Sequence, residues 1–132
     1  MSLTAIEQTE EIPASPMEVY EALVDGEKHA AFTGSPATSD PRIGGHMTAH
    51  DDYIRGEYLE LEPGARILQS WRTSEWPDGY DDSKLEIRLE PIESGTRLTM
   101  VHSLVPVKQA PGYDAGWKDH YWEPLIAYFA DR

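Results

Sequence analysis

The chain of 132 residues contains no cysteine. This absence excludes disulfide bonds, thiolate catalysis and cysteine-ligated zinc or iron–sulfur sites. No apolar run approaches the roughly 20 residues needed to cross a bilayer, and the first residues form neither a basic leader nor an apolar signal core. We therefore expect a cytoplasmic protein. Its length fits one domain, residues 1–132, which is large enough to bury a core without disulfide or metal cross-links.

Basic residues are also scarce, since 11 Lys and Arg against 24 Asp and Glu give a formal net charge of −13. A field of this sign repels nucleic-acid phosphates and anionic membranes, so neither is expected as a partner. It favours solubility and can steer a basic protein surface toward the chain. Signatures of a serine or threonine triad, a phosphate-binding glycine loop or a nucleotide site are missing as well. This counts against the commonest enzyme classes, and no cofactor is predicted.

The hydrophobic pattern predicts a sheet that is interrupted early by two short helices. A first strand over residues 4–12 leads into Ser15-Pro16-Met17-Glu18, a capping box with proline at the first helical position. Further strands are predicted over residues 44–50, 54–62, 66–73, 84–90 and 96–105. The strand at 84–90 has the clearest alternation of apolar and charged residues. Short connections between strands indicate an antiparallel meander.

The last third of the chain carries an unusually aromatic helix, GYDAGWKDHYWEPLIAYFADR. On a helical wheel its apolar residues share one broad arc, namely Trp117, Tyr121, Trp122, Leu125, Tyr128 and Phe129. Such a face needs a large concave apolar partner, which only the sheet can supply. The sequence predicts an α+β helix-grip fold, in which a curved antiparallel sheet (order β-α-α-β6-α) wraps around the long C-terminal helix. Pro124 removes one helical hydrogen bond and should bend this helix along the sheet.

Several segments resemble one known family when they are taken in order. They are IPASPMEVYEAL at 12–23, YLELEPG at 58–64 followed by Trp71, GTRLTMVH at 95–102, and Gly116-Trp117. In this order they resemble the SRPBCC or START-like superfamily, which has the birch-pollen-allergen fold. More narrowly, they resemble the branch named for the C-terminal domain of the activator of heat-shock-protein-90 ATPase. The resemblance spans essentially the whole chain.

The resemblance implies a sheet–helix cavity that holds a hydrophobic small molecule. Some members of the superfamily catalyse polyketide cyclisation and others sequester ligands. It also implies a monomer or a homodimer as the assembled state. Contact with a heat-shock chaperone is expected from the acidic surface, if the chain is a module of co-chaperone type.

We predict that the wall of this cavity consists of inward strand positions, the concave face of the last helix and one residue of the helix pair. These residues are Phe32, Met47, Leu59, Trp71, Ile87, Met100, His102, Trp117 and Tyr121. Tryptophan and tyrosine offer stacking surfaces with polar tips, so the predicted ligand is a hydrophobic or aromatic small molecule. The alternative is that the same residues fill a solid core, because protein interiors are close-packed by default.

His102 is the candidate for polar chemistry, because it shares the predicted inward face of Leu98, Met100 and Leu104. A buried imidazole can act as a general base in a cyclase or hydrolase, or can orient a ligand carbonyl. The alternative is a histidine that is hydrogen-bonded within the core.

The remaining histidines do not predict a metal site. On a strand at about 3.3 Å per residue, His46 and His50 stand roughly 13 Å apart and cannot share an ion. His120 and Glu123 fall on the polar arc of the last helix and are interpreted as a solvated pair.

The favoured hypothesis is a binding domain for a hydrophobic small molecule. An enzyme that uses His102, and a co-chaperone-like interaction module, are the alternatives.

Overall fold

One curved antiparallel sheet and a long C-terminal helix dominate the computed structural model, which describes residues 2–131. The strands are β1 (Leu3–Ile12), β2 (Thr38–Ser39), β3 (His46–Ala49), β4 (Ile54–Glu62), β5 (Arg66–Thr73), β6 (Ser83–Ile92) and β7 (Gly95–Pro106). They form one sheet in the order β1-β7-β6-β5-β4-β3-β2. The order of elements along the chain confirms the predicted α+β helix-grip fold. None of the helices in residues 2–131 is long and apolar enough to cross a membrane.

Two short helices, α1 (Pro16–Val24) and α2 (Gly26–Thr33), follow the first strand. The predicted capping box is confirmed, because the Glu18 amide donates to Ser15 Oγ at 3.3 Å and the Ser15 amide donates to Glu18 Oε1 at 3.0 Å. These reciprocal bonds satisfy amides that have no partner inside the first helical turn. The end of α2 lies at Gly34, which adopts a left-handed φ of 77°. Local sequence therefore sets where the helix pair starts and stops.

The terminal helix is continuous but not uniform, and its parts are α3 (Ala110–Trp117), a π turn (Lys118–Trp122) and α4 (Glu123–Ala130). Residue 132, the last of the predicted helical segment, lies outside the described residues. In the π turn the Glu123 amide donates to the carbonyl of Lys118, five residues earlier. Pro124 follows directly and has no amide to donate. The wide turn stacks the rings of Trp117 and Trp122 at 5.4 Å and 13°.

The core lies between the sheet and the helices. Strands β5, β6 and β7 alternate as predicted over most of their length, and they bury Ile67, Leu85, Ile87, Leu98 and Met100. The terminal helix adds Trp117, Tyr121, Trp122, Leu125 and Phe129, all less than 8 % exposed.

Tyr128 was predicted in this buried arc, but it is 39 % exposed. The helical wheel assumed an unbroken α-helix. A π turn takes in about one extra residue, so the residues after it are rotated relative to that wheel.

Two strand positions also depart from the predicted alternation. The register between β4 and β5 shifts between Tyr58 and Glu60, which makes Leu59 the extra residue of a bulge. Tyr58 is consequently fully buried, whereas Leu59 is only half-buried. In β7, Leu104 has a φ of 58° and is exposed, so Val105 takes the buried position instead.

Gly95 is a position where the fold demands glycine. Its φ is 142°, and an added Cβ would overlap the Ile12 carbonyl oxygen where β7 meets the end of β1. We expect Gly95→Ala to lower the free energy of unfolding by about 2–4 kcal/mol, since backbone atoms must move to relieve the overlap. Urea unfolding followed by tryptophan fluorescence measures this loss.

The matched control is Gly112→Ala, at a helical site where an added Cβ meets nothing within 4 Å. Alanine there should be neutral, or stabilising by up to about 1 kcal/mol, because it is the better helix former. Equal midpoints for the two variants would contradict the account of Gly95.

Candidate functional site

Four aromatic residues of the terminal helix have polar atoms that are hydrogen-bonded to four other elements. The bonds are Tyr113 OH to Thr73 Oγ1 at 2.6 Å, Trp117 Nε1 to His102 Nδ1 at 3.1 Å, Tyr121 OH to His29 Nε2 at 2.8 Å, and Trp122 Nε1 to Gln8 Oε1 at 2.8 Å. The partners lie on β5, β7, α2 and β1 respectively. An unpaired buried N–H or O–H is costly, so these bonds hold the helix in one position over the sheet.

His102 is fully buried and uses both ring nitrogens. Ser83 Oγ donates to the Trp71 carbonyl at 2.7 Å and therefore accepts from His102 Nε2–H at 2.8 Å. The other nitrogen, Nδ1, accepts from Trp117. Burial lowers the pKa of His102 to about 3, so the imidazole is neutral at pH 7. With both nitrogens bonded, the geometry gives no support to a general-base role, which stays a prediction.

His29 forms a second buried histidine site that the sequence analysis passed over. Its Nδ1 lies 2.9 Å from the Leu23 carbonyl, to which it donates, and its Nε2 accepts from Tyr121. Burial lowers the pKa of His29 as well. The sequence could have indicated that His29 is buried, because it lies three residues before Phe32 and so shares one face of α2 with it.

A pocket of about 250 Å³ opens between the turn that joins β3 to β4, strand β5 and the first half of the terminal helix. It is lined by His50, Tyr53, Ile54, Trp71, Tyr113, Gly116, Trp117, His120 and Tyr121. Two other depressions, of about 270 Å³ and 460 Å³, are bordered largely by charged or polar side chains. The aromatic pocket is therefore the candidate site for an apolar ligand.

Of the predicted wall residues, Trp71, Trp117 and Tyr121 line this pocket. They also border a central void of only about 20 Å³, together with Met47 and Ile87. A void of this size holds about one water molecule. The middle of the sheet–helix interface is therefore packed, and the open space lies at one end of it.

The other predicted wall residues are not among those that line the pocket. Phe32 packs edge-on against Tyr121 with ring centroids 5.8 Å apart, and Met100 and His102 are fully buried. Leu59 sits in the bulge of β4. Their assignment as ligand contacts stays a prediction.

The turn between β3 and β4 supplies pocket residues that the sequence analysis did not select. His50 was predicted as the end of a strand, but β3 ends at Ala49 and His50 adopts a left-handed φ of 51°. His120, interpreted as half of a solvated pair with Glu123, is exposed but lies across the pocket from His50, with ring centroids 5.9 Å apart. Only the fold brings these two histidines together, because 70 residues separate them in sequence.

The lining is electrically neutral where it is buried. Burial lowers the pKa of His50, and the neighbouring His120 lowers it further. Burial also raises the pKa of Tyr121, and burial with the nearby Glu75 raises the pKa of Tyr53 to about 12. Across residues 2–131, no group of three or more His, Cys, Asp or Glu residues is placed to hold a metal ion. The site is thus an aromatic pocket without a buried charge from these three groups.

The chain belongs to the family of Activator of Hsp90 ATPase homolog 1-like proteins, whose sequence model matches residues 13–130. It is 30 % identical over 112 residues to the activator of 90 kDa heat shock protein ATPase homolog of Dictyostelium discoideum, covering 83 % of this chain and 28 % of that protein. Against the human homolog 1 the identity is 29 % over 115 residues, covering 87 % and 34 %. The chain therefore spans about a third of these relatives.

A solved structure of similar shape is that of an HSP90 activator from Plasmodium falciparum. It superposes with a TM-score of 0.87 over 96 % of both chains at 21 % identity, which establishes the fold. These findings confirm the resemblance to the activator branch of the SRPBCC superfamily.

His102 predicts a specific dependence of stability on pH. Its pKa is lowered on folding from an ordinary 6.5 to about 3, so the unfolded chain takes up the proton first as pH falls. The free energy of unfolding is therefore not reduced by His102 above pH 6.5, and it falls progressively between pH 6.5 and 3. His102→Gln cannot ionise, so its deficit in unfolding free energy relative to the wild type should shrink by about 1.4 kcal/mol per pH unit below 6.5. Urea unfolding at pH 7.5, 6.0 and 5.0 measures it.

His46→Gln, at an exposed position of β3, is the matched control and should follow the wild type at each pH. A deficit for His102→Gln that stays constant with pH would show that His102 is not held neutral by burial.

Proposed function

We propose that this chain binds a small hydrophobic or aromatic molecule in the pocket between the β3–β4 turn and the terminal helix. The observation that carries the proposal is the lining, in which five aromatic residues surround about 250 Å³. They are Tyr53, Trp71, Tyr113, Trp117 and Tyr121. Aromatic side chains in the wall offer a large apolar area and favourable ring contacts to a flat ligand.

The size of the pocket limits the ligand. Pockets for drug-sized molecules enclose about 300–1,000 Å³, so the space here suits a molecule of one or two rings.

The walls are held in place before any ligand arrives. The Trp71 ring lies edge-on to Tyr113, with centroids 5.0 Å apart, and is tilted against Trp117 at 5.7 Å. The Tyr113 hydroxyl is bonded to Thr73. Preformed walls reduce the ordering cost of binding. We propose binding without a general-base reaction at His102, since both nitrogens of its ring are already bonded.

Gly116 allows this proposal to be tested without changing a wall side chain. An added Cβ at Gly116 meets only the His120 ring, at 3.9 Å, so a larger residue would extend into the pocket. We expect Gly116→Leu to weaken binding of 2-methylnaphthalene at least about tenfold, because the leucine occupies the same volume. Chemical-shift titration of the tryptophan indole N–H signals gives the dissociation constants.

Gly112→Leu is the control, because Gly112 lies one turn earlier on the same helix and outside the pocket lining. It should bind the probe like the wild type. Absence of saturable binding to the wild type, or equal binding by the two leucine variants, would contradict the proposed site.

The family supports a second candidate, a chaperone-related interaction module. The Dictyostelium and human relatives are named as activators of the ATPase of the 90 kDa heat shock protein. We propose that this chain contacts the same chaperone through its acidic surface, since a net charge of −13 favours a basic partner.

Salt separates a charge-led contact from an apolar one. Capture of purified 90 kDa heat shock protein should fall several-fold between about 0.1 M and 1 M salt, where the Debye length shortens from about 10 Å to about 3 Å. Gly116→Leu should capture as much chaperone as the wild type, because its change lies in the pocket. Capture that is absent at both salt concentrations would overturn the chaperone proposal and leave the pocket proposal standing.

A further inference from the structure

The β3–β4 turn holds His50 at the pocket through an unusual backbone. Three consecutive residues that are not glycine, His50, Asp51 and Asp52, have left-handed φ angles of 51°, 56° and 68°. Such angles are uncommon outside glycine, although His and Asp adopt them more readily than most residues. The Asp51 amide donates to the Pro36 carbonyl at 3.0 Å and the Tyr53 amide donates to the His50 carbonyl at 3.2 Å. These bonds tie the turn down, so the position of His50 is built into the fold.

The His50 ring faces the terminal helix. It lies edge-on to Tyr121 with ring centroids 5.4 Å apart, and 5.9 Å from the ring of His120. Both residues belong to the π turn, whose extra residue sets their direction.

The polar atoms of the lining are not equally satisfied. The hydroxyls of Tyr113 and Tyr121 are bonded to Thr73 and His29 respectively, and the Tyr53 side chain interacts with Glu75. His50 Nε2, in contrast, is buried and has no hydrogen-bond partner. It is the one buried side-chain nitrogen or oxygen without a partner in the part of the chain that the structure describes.

A buried polar atom without a partner is unfavourable, and a ligand that supplies one recovers the lost hydrogen bond. A hydroxyl group both donates and accepts, so it matches either tautomer of a neutral imidazole. A carboxylate only accepts, would have to leave water for an aromatic pocket, and would approach a chain of net charge −13.

We propose that the pocket selects neutral aromatic molecules that carry one hydroxyl group, and that His50 Nε2 is the residue atom that recognises this group. The inference rests on the proposed small-molecule function and names the class of ligand for the same site. His50 is then a specificity-determining residue, and the strained turn is the device that presents it.

Three probes of the same ring system test the inference in the wild-type protein. They are 2-naphthol, 2-methylnaphthalene, in which a methyl group replaces the hydroxyl, and 2-naphthoate, which carries a charge at pH 7. We expect 2-naphthol to bind about tenfold or more tighter than either of the others, the typical effect of one hydrogen bond to a buried group. The tryptophan indole N–H shifts again report binding, and this comparison needs no substitution.

His50→Phe removes the nitrogen and keeps a ring of similar size. It should bind 2-methylnaphthalene as tightly as the wild type or tighter, and should reduce the preference for 2-naphthol to less than about threefold. His46→Phe, at an exposed site outside the aromatic pocket, should keep the full preference. Thermal unfolding of both variants confirms that they are folded at the temperature used.

The outcomes separate the two proposals. If none of the three probes binds the wild type, the small-molecule function fails and this inference fails with it. If the probes bind but 2-naphthol shows no preference, if 2-naphthoate binds tightest, or if folded His50→Phe keeps the preference, the inference alone is overturned.

Discussion

The structure depends on how the aromatic residues of the terminal helix satisfy their polar atoms. Trp117, Tyr121 and Trp122 bury large ring surfaces, yet each also carries one N–H or O–H into the core. Those groups are bonded to His102, His29 and Gln8, on β7, α2 and β1. Ring burial alone would tolerate sliding of the helix along the sheet, because apolar contact is not directional. The hydrogen bonds remove that freedom, so elements far apart in sequence meet on one helix.

The π turn is the second determinant of the site. It ends at Trp122, two residues before Pro124, which has no amide to donate to the helix. It lets both Tyr121 and Trp122 face the core. The same wide turn brings His120 beside His50 and rotates Tyr128 outward. π turns are rare in α-helices as a whole, but those that occur are often at functional sites. Here the turn borders the aromatic pocket, which agrees with the location proposed for ligand binding.

Membership of the activator family and the geometry of the pocket address different questions. The family establishes the fold and connects the chain with proteins named as chaperone activators. The chain spans only about a third of the length of these relatives. The pocket is defined by the residues and dimensions of this chain. Gly116 and His50 are useful because changes at either affect the pocket while leaving the acidic surface as it is. The two proposed functions can therefore be examined independently in one protein.

Much of the architecture was predictable from local patterns. The capping box at Ser15 to Glu18, the alternation in β6 and the amphipathic last third are short-range signals, since each depends on neighbours within about four residues. Three of the nine predicted wall residues, Trp71, Trp117 and Tyr121, line the aromatic pocket, and their role as ligand contacts stays a prediction. Leu59, Leu104 and Tyr128 were placed wrongly, because a bulge, a left-handed residue and a π turn each change the phase of the repeat on which the prediction relied.

The site itself was decided only by the tertiary structure. His50 and His120 are 70 positions apart, and neither carries a sequence signal that names the other. His102 and His29 are neutral because other elements bury them and bond both of their nitrogens. The sequence by itself determined most of the strands and helices, and that a sheet must hold the aromatic helix. Where empty space remains, and which polar atom is left without a partner, depends on packing between distant segments, and no local pattern encodes that.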